Sequence, residues 1–262
     1  MAEPQEQHEA SAASVPEARA PGVRIPLRRR GIYLLPNLFT TAALFAGFYA
    51  IVQAMNARFD QAAVAIFVAM VLDGLDGRVA RMTRTQSEFG ADFDSLSDMV
   101  SFGAAPALVM YEWALKALGT IGWIPAFVYC AAAAVRLARF NTNIEIVDKR
   151  FFQGLPSPAA AALVAGFIWV ADDFGIVRVD WIRYISFVIT LFAGVTMVVS
   201  IPFYSFKDFN MRKRVPFWVA PLIIAGITVV AAKPPMVLFL LFVAYSFSGY
   251  VMWLVNSRRR PP

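Results

Sequence analysis

The sequence predicts an all-α protein: a polytopic transmembrane helical bundle of about eight spans, with the N- and C-termini cytoplasmic. Three observations carry that expectation. Of the 262 residues, 59% are hydrophobic and only 16% charged, whereas a soluble domain carries about a quarter charged residues. Apolar runs of the length a bilayer requires, about 20 residues, recur along the chain. Basic residues gather at alternate ends of those runs.

Residues 1–27 differ in kind. Ala, Glu, Gln, Pro and Ser dominate, large apolar residues are almost absent, and burial cannot offset the entropy of ordering the segment. It has no signal-peptide apolar core. It is expected to be a disordered cytoplasmic tail ending at the basic cluster Arg28-Arg29-Arg30, with residues 28–262 forming one transmembrane domain. Within that domain the candidate spans are about 32–55, 61–82, 95–118, 121–140, 157–172, 181–202, 215–232 and 235–256. Turn signals separate most of them: Gly119 to Gly122, Leu155-Pro156-Ser157-Pro158, and Lys233-Pro234-Pro235.

An even number of spans places both termini and alternate loops on one side. That side collects Arg19, Arg24, Arg28 to Arg30, Arg78, Arg81, Arg84, Arg136, Arg139, Lys149, Arg150, Lys207, Arg212, Lys213, Arg214 and Arg258 to Arg260. Only Arg58, Lys116, Arg178, Arg183 and Lys233 fall on the other. The positive-inside rule assigns the basic side to the cytoplasm. The net charge of +6 then reflects topology and anionic headgroups; no basic stretch is interleaved with aromatics as a nucleic-acid surface would be.

Cys130 is the only cysteine and His8 the only histidine. A disulfide framework, a thiolate zinc site and a Ser-His-Asp triad are therefore excluded within one chain. Any bound metal takes oxygen ligands, which favours Mg²⁺, Mn²⁺ or Ca²⁺ over zinc.

The second and third runs carry the chemistry. Asp73 and Asp76 are three apart, and Asp94 and Asp98 four apart; on helices each spacing puts both side chains on one face. A hairpin of the two helices would unite the pairs. Four carboxylates at the end of an apolar span are costly unless hydrated, paired or bound to cations, and two divalent cations would neutralise them and clamp a phosphoryl group. Gly74, Gly77 and Gly90 remove side chains where a ligand or a facing helix must approach. Arg81 offers a planar cation suited to phosphate oxygens. Asp92 reads as a solvated or outer acid, Arg78 and Arg84 as topology residues, and the 23 phenylalanines as lipid-facing or core packing.

Residues 73–98 resemble the CDP-alcohol phosphotransferase signature: Asp-x-x-Asp-Gly-x-x-Ala-Arg, eight residues, then Gly-x-x-x-Asp-x-x-x-Asp. Asp73, Asp76, Gly77, Ala80, Arg81, Gly90, Asp94 and Asp98 fill its fixed positions. The resemblance implies that Asp73, Asp76 and Asp94 ligate two divalent cations, Mg²⁺ or Mn²⁺. It implies that Asp98 is both a ligand and the catalytic base for the acceptor hydroxyl, and that Gly77, Ala80 and Arg81 cradle the cytidine diphosphate. Ser87 resembles the family's small hydroxyl position near that phosphate.

Further segments narrow the reading: Arg30 to Asn37, Val100 to Pro106, Arg136 to Asn141 and Phe152 to Pro158. Over about residues 30–160 they look like the family's membrane-embedded phosphatidylserine synthases, which implies CDP-diacylglycerol as donor, L-serine as acceptor and a homodimer in the lipid bilayer. A zwitterionic acceptor needs a cation for its carboxylate. Arg136, Arg139, Lys149 and Arg150 approach the cytoplasmic end, with Asn141, Asn143, Gln153 and Ser157 as polar neighbours. Asn37 faces either the cytidine or another helix. A bacterial inner membrane, with the site facing the cytoplasm, is the expected location. Other acceptor alcohols (glycerol 3-phosphate, an inositol phosphate, choline) would keep the chemistry. A divalent-cation transporter, the alternative from another class, predicts carboxylates near the bilayer midplane and broken or inverted-repeat helices.

Overall fold

A computed structural model describes residues 27–83, 85, 87–142, 151–176, 180–204 and 219–258. Apart from Leu27, the expected tail lies outside these residues, as do Arg84, Asn143, Lys149, Arg150, Arg178, Lys207, Arg212 to Arg214, Arg259 and Arg260. Among the described residues the chain is all-α, save two strands of three residues each.

The helices are α1 (Leu27–Met55), α2 (Phe59–Thr83), α3 (Glu88–Asp98), α4 (Ala105–Trp113), α5 (Trp123–Thr142), α6 (Ser157–Asp173), α7 (Ile182–Val198), α8 (Val219–Ala232) and α9 (Pro234–Arg258). Among the described residues, three segments are long and apolar enough to cross a membrane: Leu35–Met55, Trp123–Thr142 and Pro234–Val255. Ile182–Val198 is a shorter apolar helix. Large apolar side chains stand exposed around the bundle, among them Phe45, Phe48, Phe127, Val188 and Ile227.

The third apolar run departs from the single span expected at 95–118. Its helix begins earlier, at Glu88, because Ser87 is an N-cap whose Oγ accepts the Gly90 N–H at 3.0 Å. After Asp98 it widens into a π-helical turn, Met99–Ala104, continues as α4, and ends in a 3₁₀ segment, Leu115–Ile121. Pro106 gives the wide turn a reason: it has no N–H to donate to the carbonyl of Phe102, four residues back. The fully buried Tyr129 of α5 fills the gap, its hydroxyl donating to that carbonyl at 3.0 Å.

The sixth run ends before the expected residue 202. Val199 turns to an extended conformation, and the ring of Pro202 disfavours helix at Ile201. The chain instead forms β2 (Pro202–Tyr204), antiparallel to β1 (Phe151–Gln153), with Phe151 opposite Tyr204, Phe152 opposite Phe203 and Gln153 opposite Pro202.

At the centre lies α6, buried along most of its length through Ala159 to Ala162, Leu163, Val164, Ala165 and Ile168. It packs against α2, α4, α7 and α9. Small residues let the helices approach closely: Ala43, Ala46, Ala50 and Ala54 of α1 are buried, as are Ala62, Ala63 and Ala69 of α2. A Cβ on Gly47 would lie 2.6 Å from the Cα of Ser101, so α1 lies directly on the π-helical turn.

Candidate active site

The acidic pairs are set by helix periodicity and meet where α2 faces α3. Asp73, Asp76 and Asp94 each direct one carboxylate oxygen to a common point, all three within 4.8 Å of one another. The carboxyl of Asp98 lies beside that of Asp73. Asp92, by contrast, is exposed.

The donor set fits a hard divalent cation. The Oδ1 of Asp94 is buried and has no hydrogen-bond partner, a costly state for a carboxylate oxygen unless a cation satisfies it. Asp94 precedes the third apolar run. Burial, and then the charges of Asp76 and Asp73, push its carboxyl up to about 7, as expected of like charges awaiting a counter-ion.

Helix α1 crosses both acid-bearing helices. Thr40 Oγ1 donates to Asp76 Oδ2 at 2.8 Å, and the Thr40 carbonyl accepts from Ser97 Oγ at 3.1 Å. One turn on, Ser101 Oγ donates to the Ala43 carbonyl at 3.1 Å. Sequence reasoning missed Thr40. The signal was its spacing, three residues after Asn37 on the same face of an otherwise apolar helix.

Of the residues expected to hold the donor, Gly77, Ala80 and Arg81 follow Asp76 on α2, and Ser87 caps α3. Among the described residues, nothing beyond its own helix backbone lies within 4 Å of a Cβ built on Gly74, and only an Arg81 guanidinium nitrogen, at 3.8 Å, approaches one on Gly77. No facing helix among the described residues therefore explains those two glycines. Gly90 is different: its Cβ would meet Ser87 Oγ at 3.1 Å and Asn37 Oδ1 at 3.6 Å. Asn37 thus sits at the start of α3. Arg81 is exposed on the last turn of α2, and Ala80 is half-buried.

On the α5 side, Arg136 Nη1 donates to Ser157 Oγ at 2.7 Å, while its Nε is buried and unpartnered. Its charge acts on Asp98. Arg139 binds the side chain of Gln153 and, at 3.3 Å, Ser200 Oγ. Asn141 Nδ2 donates to Ser95 Oγ at 3.0 Å, so it braces α3. Arg150 lies outside the described residues. Sequence reasoning also missed Ser200, which only β2 brings near Arg139.

Residues 33–200 match the model of the CDP-alcohol phosphatidyltransferase family. A CDP-diacylglycerol--serine O-phosphatidyltransferase of Helicobacter pylori (strain ATCC 700392 / 26695) is 34% identical over 224 residues, covering 85% of this chain and 92% of its own. A protein of the same name from Mycobacterium bovis is 32% identical over 244 residues, 89% of this chain and 83% of its own. One from Methanocaldococcus jannaschii is 42% identical over 109 residues, 42% of this chain and 51% of its own. With three of the signature aspartates gathered in one cluster and the family match spanning most of the helical domain, this chain belongs to the CDP-alcohol phosphatidyltransferase family.

Proposed function

We propose that the protein transfers the phosphatidyl group of CDP-diacylglycerol to the hydroxyl of L-serine, giving phosphatidylserine and CMP. The observation that carries this reading is the convergence of Asp73, Asp76 and Asp94, with Asp98 beside Asp73, in a chain alike over most of its length to proteins named for that reaction.

Asp73, Asp76 and Asp94 would hold two divalent cations, Mg²⁺ or Mn²⁺, with Asp98 contributing to them. When bound, the cations supply positive charge that stabilises negative charge on the reacting phosphate. The serine oxygen attacks the phosphorus next to the diacylglycerol, the bond from that phosphorus to the CMP oxygen breaks, and Asp98 takes the serine hydroxyl proton. Such a base contributes about 10²–10⁴-fold. Asn37, Gly77, Ala80, Arg81 and Ser87 bind the cytidine diphosphate end: the open backbone over Gly74 and Gly77 leaves room for it, and Arg81 offers paired donors to phosphate oxygens. Arg136, held by Ser157, faces Asp98 and suits the serine carboxylate; Arg139, Asn141 and Arg150 complete the acceptor side.

The same reading places eight spans in a bacterial inner membrane, with both termini and the aspartates at the cytoplasmic face. Three apolar helices of spanning length and the one-sided basic residues support it. A homodimer completes the proposal.

The test uses purified protein with CDP-diacylglycerol, Mg²⁺ or Mn²⁺ and labelled serine, following CMP release and labelled lipid beside Asp98→Asn and Asp76→Asn. Serine-dependent lipid labelling that both substitutions abolish is the expected result. CMP release only with glycerol 3-phosphate or another alcohol overturns the acceptor. Cation flux in liposomes without CMP release overturns the enzyme reading.

A further inference from the structure

We infer that Thr40 is a positioning residue for the metal centre: its hydroxyl fixes one oxygen of Asp76 and its carbonyl, through Ser97, fixes the turn of α3 that carries Asp98. The inference rests on the reading of the aspartates as a divalent-cation site.

Thr40 and Asp76 are both buried, on different helices, and the 2.8 Å hydrogen bond joins them directly. A threonine hydroxyl has one proton to give. Its other neighbour, the carbonyl of Pro36 at 3.2 Å, is also the helix-ladder acceptor for Thr40's own N–H. The proton therefore goes to Asp76 Oδ2, where the acceptor is charged and the distance shorter. With Oδ2 held by Thr40, the Asp76 carboxylate is oriented where one of its oxygens lies within 4.8 Å of ligand oxygens of Asp73 and Asp94.

The second half of the device is backbone. Ser97 is buried and donates to the Thr40 carbonyl at 3.1 Å, and Ser97 immediately precedes Asp98. One residue of α1 thus touches an acid of α2 through its side chain and the acid-bearing turn of α3 through its carbonyl. Sliding α1 is blocked one turn further on, where Ser101 binds the Ala43 carbonyl and fills the space over Gly47. Threonine at this position sets the separation of the two acidic pairs, and groups that orient a metal ligand in this way alter metal affinity by about 10–100-fold when removed.

The test measures Mn²⁺ binding by electron paramagnetic resonance on the full chain in lipid nanodiscs, for wild type, Thr40→Val, Thr40→Ser and Ser97→Ala, with thermal unfolding as a fold control. Thr40→Val keeps the shape and removes the hydroxyl; it is expected to weaken Mn²⁺ binding by about tenfold or more, with saturating Mn²⁺ recovering most of kcat. Thr40→Ser keeps the hydroxyl and is expected to stay within about threefold of wild type. Ser97→Ala is expected to weaken binding less than Thr40→Val, and it carries the test if Thr40→Val does not fold. Wild-type affinity in Thr40→Val, or in Ser97→Ala where that variant stands in for it, overturns the inference while leaving the metal site intact. A wild-type protein that binds no Mn²⁺ overturns the metal reading itself.

Discussion

Asp73 of α2 and Asp98 of α3 bring their carboxyl groups together, although they stand on different helices. Like charges held that close repel, and a divalent cation shared with Asp76 and Asp94 would relieve the repulsion.

A pH dependence follows. The Asp94 carboxyl, raised to about 7, is largely protonated at pH 6 and ionised at pH 8. Mn²⁺ affinity is therefore expected to rise with pH, by up to about tenfold per unit below pH 7. The sign for stability is opposite: a raised carboxyl stabilises the metal-free fold at low pH, and that contribution is lost as pH rises through about 7. Thermal unfolding without metal should show a lower midpoint at pH 8 than at pH 6, with Mn²⁺ restoring it. A pH-independent Mn²⁺ affinity would contradict this.

The aspartates are expected to separate by role. Asp94→Asn removes one of three converging oxygens and should weaken Mn²⁺ binding more than tenfold. Asp98→Asn should leave more of that binding and yet lower kcat by about 10²–10⁴-fold. Binding measured by resonance and turnover measured by CMP release distinguish them; equal loss of binding in both variants would make Asp98 a ligand above all.

Ser87 has a structural duty that can be weighed apart from any contact with phosphate. Ser87→Ala should lower stability by about 0.5–2 kcal/mol through loss of the cap on α3, and Ser87→Asp should recover it. Activity that returns together with stability assigns Ser87 to capping. Stability that returns while the KM for CDP-diacylglycerol stays high assigns it to the donor as well.

Arg136 should not tolerate lysine. The guanidinium binds Ser157 through one nitrogen and keeps Nε free inside the protein, a two-sided geometry an ammonium lacks. Arg136→Lys is expected to raise the KM for serine about tenfold or more, with less effect on the KM for CDP-diacylglycerol. Steady-state kinetics in each substrate checks it, and equal changes in both constants would remove Arg136 from the acceptor side.

Gly154 is a strict position outside the acids. Its φ is +81°, and a Cβ there would collide with the carbonyl oxygen of Met197. Gly154→Ala should cost about 1–3 kcal/mol and disturb Gln153, hence Arg139. A thermal midpoint equal to wild type would show that the loop has room to adjust.

What was legible in the sequence was what one helix can hold. The three- and four-residue spacings of the aspartates specify a face, and the apolar runs specify where helices lie, so α2, α5 and α6 fall within about two residues of expectation. What depends on two distant segments was not legible. Pro106 leaves the carbonyl of Phe102 without its ladder donor, but the donor that replaces it, Tyr129, comes from another helix. The bond from Thr40 to Asp76 requires knowing which face of α1 meets α2. Ser200 reaches Arg139 only because residues after α7 turn extended.

The pairing of β1 with β2 has a consequence for how the chain tolerates insertion. Successive residues of a strand point to opposite faces, and a slip of one position reverses them all. Gln153 stands opposite Pro202 and holds Arg139; one residue added to either strand would swing Gln153 away and leave the guanidinium without that anchor. Three paired residues thus work as a ruler that sets how Gln153 reaches Arg139.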